Sequence, residues 1–179
     1  MKRRSMLCLC SAAALSFPAF AAGVVSTTSA AADEEVSDAD RTFVAKVSQG
    51  GMFEVEASKV ASAKAARQDI VDIGFTEVHD HQLVGAKLQS IAASIGISLD
   101  AGLNQDFQTR LDRLNSLSGK EFDNAYIAEM DKIHAADGAA FAQEAKGGTN
   151  PQLRAFAAET VLIVKRHLGS LHALPPEKV

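Results

Sequence analysis

The chain has 179 residues, 18 of them basic and 22 acidic for a net charge of −4, and 47% are hydrophobic. That length suits one domain with a real core. An acidic balance argues against nucleic acid as a partner, because that role needs a basic footprint.

The first 21 residues, MKRRSMLCLCSAAALSFPAFA, read as a secretory signal peptide. Lys2, Arg3 and Arg4 form a basic start, Met6 to Leu15 a short apolar run, and Ala19-Phe20-Ala21 a small-x-small cleavage signal. The apolar run is too short to span a bilayer as an anchor. Both cysteines, Cys8 and Cys10, fall inside it, so the mature chain has neither disulfide nor thiolate chemistry. Cleavage leaves 15 basic residues against 22 acidic ones, a net charge of −7. The expected destination is the periplasm or the exterior of a bacterial cell. No transmembrane segment is expected after cleavage, and a partner in the envelope or self-association stays open.

Residues 22–37 are small, polar and acidic, and read as a flexible leader. From there helical periodicity dominates. A first helix is expected from about Asp38 to Ala61, capped by Ser37 or Asp38, with the stripe Val44, Val47, Gly51, Glu54, Ser58, Ala61. Gly50-Gly51 costs roughly 1 kcal/mol per glycine in mid-helix, yet the stripe resumes in phase beyond it, which predicts one continuous helix. The second runs from about Ala66 to Ile95 with the stripe Ile70, Gly74, Glu77, His81, Val84, Leu88, Ile91, Ile95. A shorter segment, about Gln105 to Leu117, reads as a connection across one end of a bundle. The third long helix covers about Lys120 to Lys146 with Asp123, Ile127, Met130, His134, Asp137, Phe141 and Glu144. Asn150-Pro151 opens the fourth, with Leu153, Phe156, Thr160, Ile163, His167, Ser170 and Leu174. Residues 175–179 form a tail. The pattern predicts an all-α protein, an antiparallel four-helix bundle over 38–174 with a short extra helix between helices two and three.

Polar residues on buried stripes are the functional signal. Helix one supplies Glu54, helix two Glu77 and His81, helix three His134 and Asp137, helix four His167. With the turns near 63–65 and 147–148 taken as one end, these six span roughly 12 Å along the axis and the histidines roughly 6 Å. Imidazole and carboxylate ligands suit iron, manganese, zinc or copper, and a helical bundle is a common way to converge them. The pattern lacks the full carboxylate set of a di-iron site. The competing reading is a structural layer of histidines paired with carboxylates. Glu56 and Asp80 are reserve candidates, Glu56 expected to pair with Lys59 and Asp80 to face water in part. Ser118-Gly119-Lys120 lacks the glycine-rich run of a phosphate loop, and no serine nucleophile motif is present, so no catalytic residue is assigned.

The stretches FVAKVSQGGMFEVEASKVASAKA, LNSLSGKEFDNAYIAEM and LRAFAAETVLIVKRHL, with the Asp-His of EVHDH, resemble the family catalogued as domain of unknown function 4142. The resemblance spans roughly residues 40–172. It implies a ferritin-like bundle outside the cytoplasm and no assigned activity; members often carry an outer-membrane label. The family's recurrent polar residues fall on Glu54, Glu56, Asp80, His81, His134 and His167. This chain departs from the family pattern in carrying Glu77 where Met is usual, and Ile133-His134 where Asp-His is usual.

Overall fold

The computed structural model describes residues 35–175. The expected signal peptide, most of the leader and the last four residues lie outside them. Five helices follow in order: α1 (Asp38–Lys64), α2 (Gln68–Ser94), α3 (Gln105–Ser116), α4 (Gly119–Gly147) and α5 (Pro151–His172). Among the described residues there is no strand, only a single bridge between Ala65 and Gly119.

Local chemistry explains where the helices begin. Ser37 caps α1 in a capping box with Asp40, Asn104 caps α3, and Asn150 caps α5 with Pro151 in the first turn. No side chain of its own segment caps α2. Asp123 of α4 instead holds the turn just before it, accepting from the backbone N–H groups of Ala66 (3.0 Å) and Arg67 (3.2 Å).

The long helices pack pairwise, α1 on α2, α4 on α5, α1 on α4 and α2 on α5, each pair antiparallel. The α1–α2 and α4–α5 turns lie at opposite ends, not at one end as the sequence suggested. Asp123, near the start of α4, holds the first turn. Asp40, near the start of α1, accepts from Thr149 (2.9 Å) and Asn150 (3.3 Å) in the second. The connection from 95 to 118 must therefore travel the length of the molecule. Accordingly α3 runs along the side of α1 and α4 rather than across one end. Arg110 fastens it, pairing with Glu129 at 2.6 Å and lying over the rings of Phe53 and Phe107. The polar residues still converge, because Glu54, Glu77, His81 and His134 occupy the central turns of their helices.

Helix α1 is continuous through Gly50-Gly51, as the periodicity predicts. A Cβ on Gly50 would lie 2.5 Å from Asp137 Oδ2, so the glycine lets a carboxylate of α4 sit directly beneath α1. In α5 the buried seam runs Leu153, Phe156, Thr160, Val164, His167, Leu171, leaving Ile163 half-buried and Ser170 exposed. The steps average about 3.6 residues, the period of a straight helix, rather than the 3.5 of a strict heptad.

Two apolar clusters fill the interior. Phe53, Ile70, Leu114, Phe122, Tyr126 and Met130 belong to one, and Phe43, Val44, Leu88, Phe141, Leu153 and Phe156 to the other. Along every long helix the polar layer falls between them.

Candidate metal centre

Burying a carboxylate or an imidazole without partners costs several kcal/mol. Five such groups are gathered here, each no more than 4% exposed: Glu54, Glu77, His81, His134 and His167. One donor atom from each of Glu77, His81, His134 and His167 lies within 4.8 Å of the others. Glu77 Oε2 is the hub, 3.2 Å from His81 Nε2, 3.2 Å from His134 Nε2 and 2.9 Å from His167 Nδ1. His134 Nε2 and His167 Nδ1 are 3.2 Å apart. A tetrahedral ion with ligand bonds of about 2.0–2.1 Å requires donor–donor edges of roughly 3.3 Å. Four of the six edges are thus near the length such an ion needs.

The other nitrogen of each ring is held from outside the cluster. His134 Nδ1 donates to the Met130 carbonyl at 2.8 Å. His167 Nε2 donates to Asp80 Oδ2 at 2.8 Å. His81 Nδ1 faces Glu54 Oε2 at 3.1 Å. These outer acceptors orient the rings and turn the inner nitrogens toward Glu77, as N–H donors when an imidazole is protonated and as lone pairs when it is neutral. Glu77 Oε2 is faced by all three imidazoles, and Glu77 Oε1 is buried without a hydrogen-bond partner. Such a convergence of acceptors needs a shared proton or a cation.

The titration behaviour follows from this geometry. Burial opposes the charge on Glu77, and bonds from His134, His167 and His81 outweigh it, holding the carboxyl far below its usual range. Burial lowers His134, but Glu77 and Glu54 lift it to about 9. His81 moves up for the same reasons, burial again being overcome by Glu54 and Glu77. Tyr126, hydrogen-bonded to Ser58 at 2.8 Å, is pushed up by burial and then by the nearby Glu77 charge.

The remaining sequence candidates take other positions. Asp137 is buried beside Gly50, outside the four-donor group, and burial together with the Glu54 charge pushes its carboxyl up to about 7. Glu54 touches His81 and, at 3.4 Å, His134, and so stands behind the ring of donors. Glu56 is solvent-facing and paired with Lys59 at 2.7 Å, as its position on the helix suggests. Asp80 faces water in part, its side chain 15% exposed, and it binds both His167 and Arg166. Its partners sit on α5, which the periodicity of α2 alone could not reveal. Nor could any motif signal the Met130 carbonyl, although its spacing of four residues before His134 is the natural reach of a helical imidazole. His79 is exposed, and His172 pairs with Asp131 at the surface. Among the described residues no helix is long and apolar enough to cross a membrane.

No curated protein and no solved structure matches the chain. A family model described as a domain of unknown function (DUF4142) matches residues 25–174. That match covers most of the chain and takes in every residue of the His/Glu cluster, and the protein belongs to this family.

Proposed function

We propose that the protein is an exported, ferritin-like antiparallel four-helix bundle over residues 38–174. It follows a cleaved segment 1–21 and a leader 22–37, and holds a divalent transition metal on Glu77, His81, His134 and His167. Its role is sequestration of the metal or protection of the envelope against it. The observation that carries this reading is the outward anchoring of all three imidazoles, which turns three inner nitrogens and the Glu77 carboxylate toward one point, a four-donor set once the imidazoles are neutral. Three imidazoles and one carboxylate suit zinc, iron or copper, and the near-tetrahedral edges favour zinc. Four protein donors close the coordination sphere, which suits holding a metal better than catalysis with it. An opening of about 170 Å³, lined by Glu77, His167, Ile73 and Thr76, supplies an access path.

A second reading is a purely structural polar layer in an envelope protein, which the paired His–carboxylate distances favour. The 3.2 Å contact between His134 and His167 constrains it, because one ring must donate and the other accept. Two protonated nitrogens cannot point at each other across that gap, so full protonation of the layer is blocked.

The test is elemental analysis of the protein purified from the envelope of its own cells. The expected result is one transition-metal ion per chain, and a metal-free protein that takes up none on reconstitution would overturn the reading. Export has its own check, since intact-mass measurement of the same sample should give a chain that begins at or within a few residues of Ala22. A retained and lipid-modified Cys10 would contradict it.

A further inference from the structure

A cleft of about 710 Å³ opens between α1, α2 and the 99–103 loop, with α3 along its edge. Its size falls within the usual range for small-molecule sites, roughly 300–1,000 Å³. The walls are apolar, with Val55, Val84, Leu88, Leu103, Phe141 and Phe156 among them. The floor reaches Glu54 and Asp137.

Apart from His81, which faces Glu54, the charges in this cleft are one-sided. Glu54, Glu56, Asp100 and Asp137 line it, and none of the described lining residues is a lysine or an arginine. The two outer carboxylates are engaged, Glu56 by Lys59 and Asp100 by Gln49. Of the two inner ones, Glu54 is 1% exposed and faces His81 Nδ1 at 3.1 Å and His134 Nε2 at 3.4 Å, which leaves Asp137 as the unsatisfied one. Asp137 is 4% exposed, and no hydrogen bond to it is present among the described residues. Lys46 donates to the Ala136 carbonyl at 3.1 Å and stays at the surface. Glycines keep the space open: nothing lies within 4 Å of a Cβ added at Gly85, and only His81 Nδ1, at 4.0 Å, meets one added at Gly51.

We infer that this cleft binds a small organic cation, an ammonium head resting on Asp137 beside the Glu54 charge, with an apolar body along the walls between α1 and α2. Carboxylates can only accept, so the head must donate. A charged donor in a water-poor site bonds about twice as strongly as a neutral one. A bare inorganic cation fits poorly, because hard ions want oxygen on most sides and these walls offer carbon. The site meets the proposed metal centre at Glu54 and His81, and does not require the metal reading.

The probe is n-octylammonium, with 1-octanol and octanoate as controls, titrated calorimetrically into the mature chain as purified, its metal content measured in parallel. Octylammonium should bind at least tenfold more tightly than octanol, and octanoate should not bind at the same concentrations. Asp137→Asn should weaken octylammonium at least tenfold and leave octanol unchanged. Gly85→Phe, placed where there is room for a side chain, should remove both and provides the test if Asp137→Asn fails to fold. Equal binding of octanoate and octylammonium, no binding of octylammonium, or an Asp137→Asn protein that binds it as well as the wild type would each overturn the inference. Metal content does not decide among these outcomes, so a failure here is distinct from a failure of the metal site.

Discussion

Zinc added to the metal-free protein should raise its melting temperature, and the increment should grow between pH 6 and pH 8. Over the same interval the metal-free protein should itself become less stable. The opposite signs have separate causes. In the metal-free protein His81 and His134 have folded pKa values above the unfolded 6.5, His134 at about 9. The stability they contribute is fully present below pH 6.5 and is lost as pH rises toward 9. Asp137 and Glu144 add to this. Each is pushed up to about 7 from an ordinary carboxyl value, so the native state keeps a proton that the unfolded chain releases. Glu77 moves the other way, but its contribution is lost only in acid, below this window. Metal reverses the trend because ligation needs neutral imidazoles, so binding releases protons and tightens with pH.

At a free metal concentration a hundred times the dissociation constant, the gain is about 2.7 kcal/mol. For a domain of this size that is on the order of 5–10 °C. His81→Ala removes one of four donors and should abolish the increment. Asp80→Ala, which frees His167 to rotate, should cost roughly 10–100-fold in metal affinity without removing a ligand. Both variants will also lose some stability without metal, because buried partners are left unpaired at about 1–3 kcal/mol each. The quantity to read is therefore the difference with and without metal in each variant, measured by thermal melts at several pH values. A falling stability with pH and no metal increment would leave only the structural layer.

How much of this arrangement the sequence could reveal depends on whether a feature lives within one helix or between helices. Glu77 and His81 interrupt an apolar stripe one turn apart, and His134 and His167 interrupt theirs, so their burial was legible from periodicity alone. The helix limits were legible for the same reason, aided by the caps at Ser37, Asn104 and Asn150. The direction of travel between residues 95 and 118 was not. A 24-residue connection of that composition can cross one end of a molecule or climb its side, and only packing of Phe107 and Arg110 against Phe53 decides it. The ties of Asp80 were not legible because its partners belong to α5. Nor was the place of Asp137 outside the four-donor group, because a buried stripe says a side chain points inward, not at what depth or toward which neighbour. Asp123 lay on the expected buried stripe of its helix, and nothing in the sequence set Asp40 apart from any acidic residue in an opening turn, where the dipole favours it. Their grip on the opposite hairpin's turn is a tertiary fact.

That grip leads to the second large effect. Asp40→Ala should destabilise the protein by about 3 kcal/mol or more while leaving the metal increment intact. Asp40 is fully buried. Its Oδ2 accepts from Ser37 N at 2.8 Å and Asn150 N at 3.3 Å, and its Oδ1 from Thr149 N at 2.9 Å. Truncation strands three backbone donors, opens the capping box of α1 and loosens the turn from which Asn150 caps α5. Losing a cap costs about 1 kcal/mol, and each buried donor left without an acceptor about 1–3 kcal/mol. The pH dependence should change as well. Burial and the neighbouring Asp40 hold the Glu144 carboxyl up at about 7, so without Asp40 the native state keeps that proton less firmly and the loss of stability through neutrality should flatten. Asp40→Asn, which retains one acceptor oxygen, should fall between wild type and Asp40→Ala. Urea unfolding at pH 5.5, 7 and 8.5 reads both effects. Because Asp40 stands several turns along α1 from Glu54, the zinc increment in Asp40→Ala should match the wild type. A loss under about 1 kcal/mol would show that water replaces the carboxylate at this turn, and that α1 and the α4–α5 turn are held together by the apolar contacts of Phe43 with Phe141 instead.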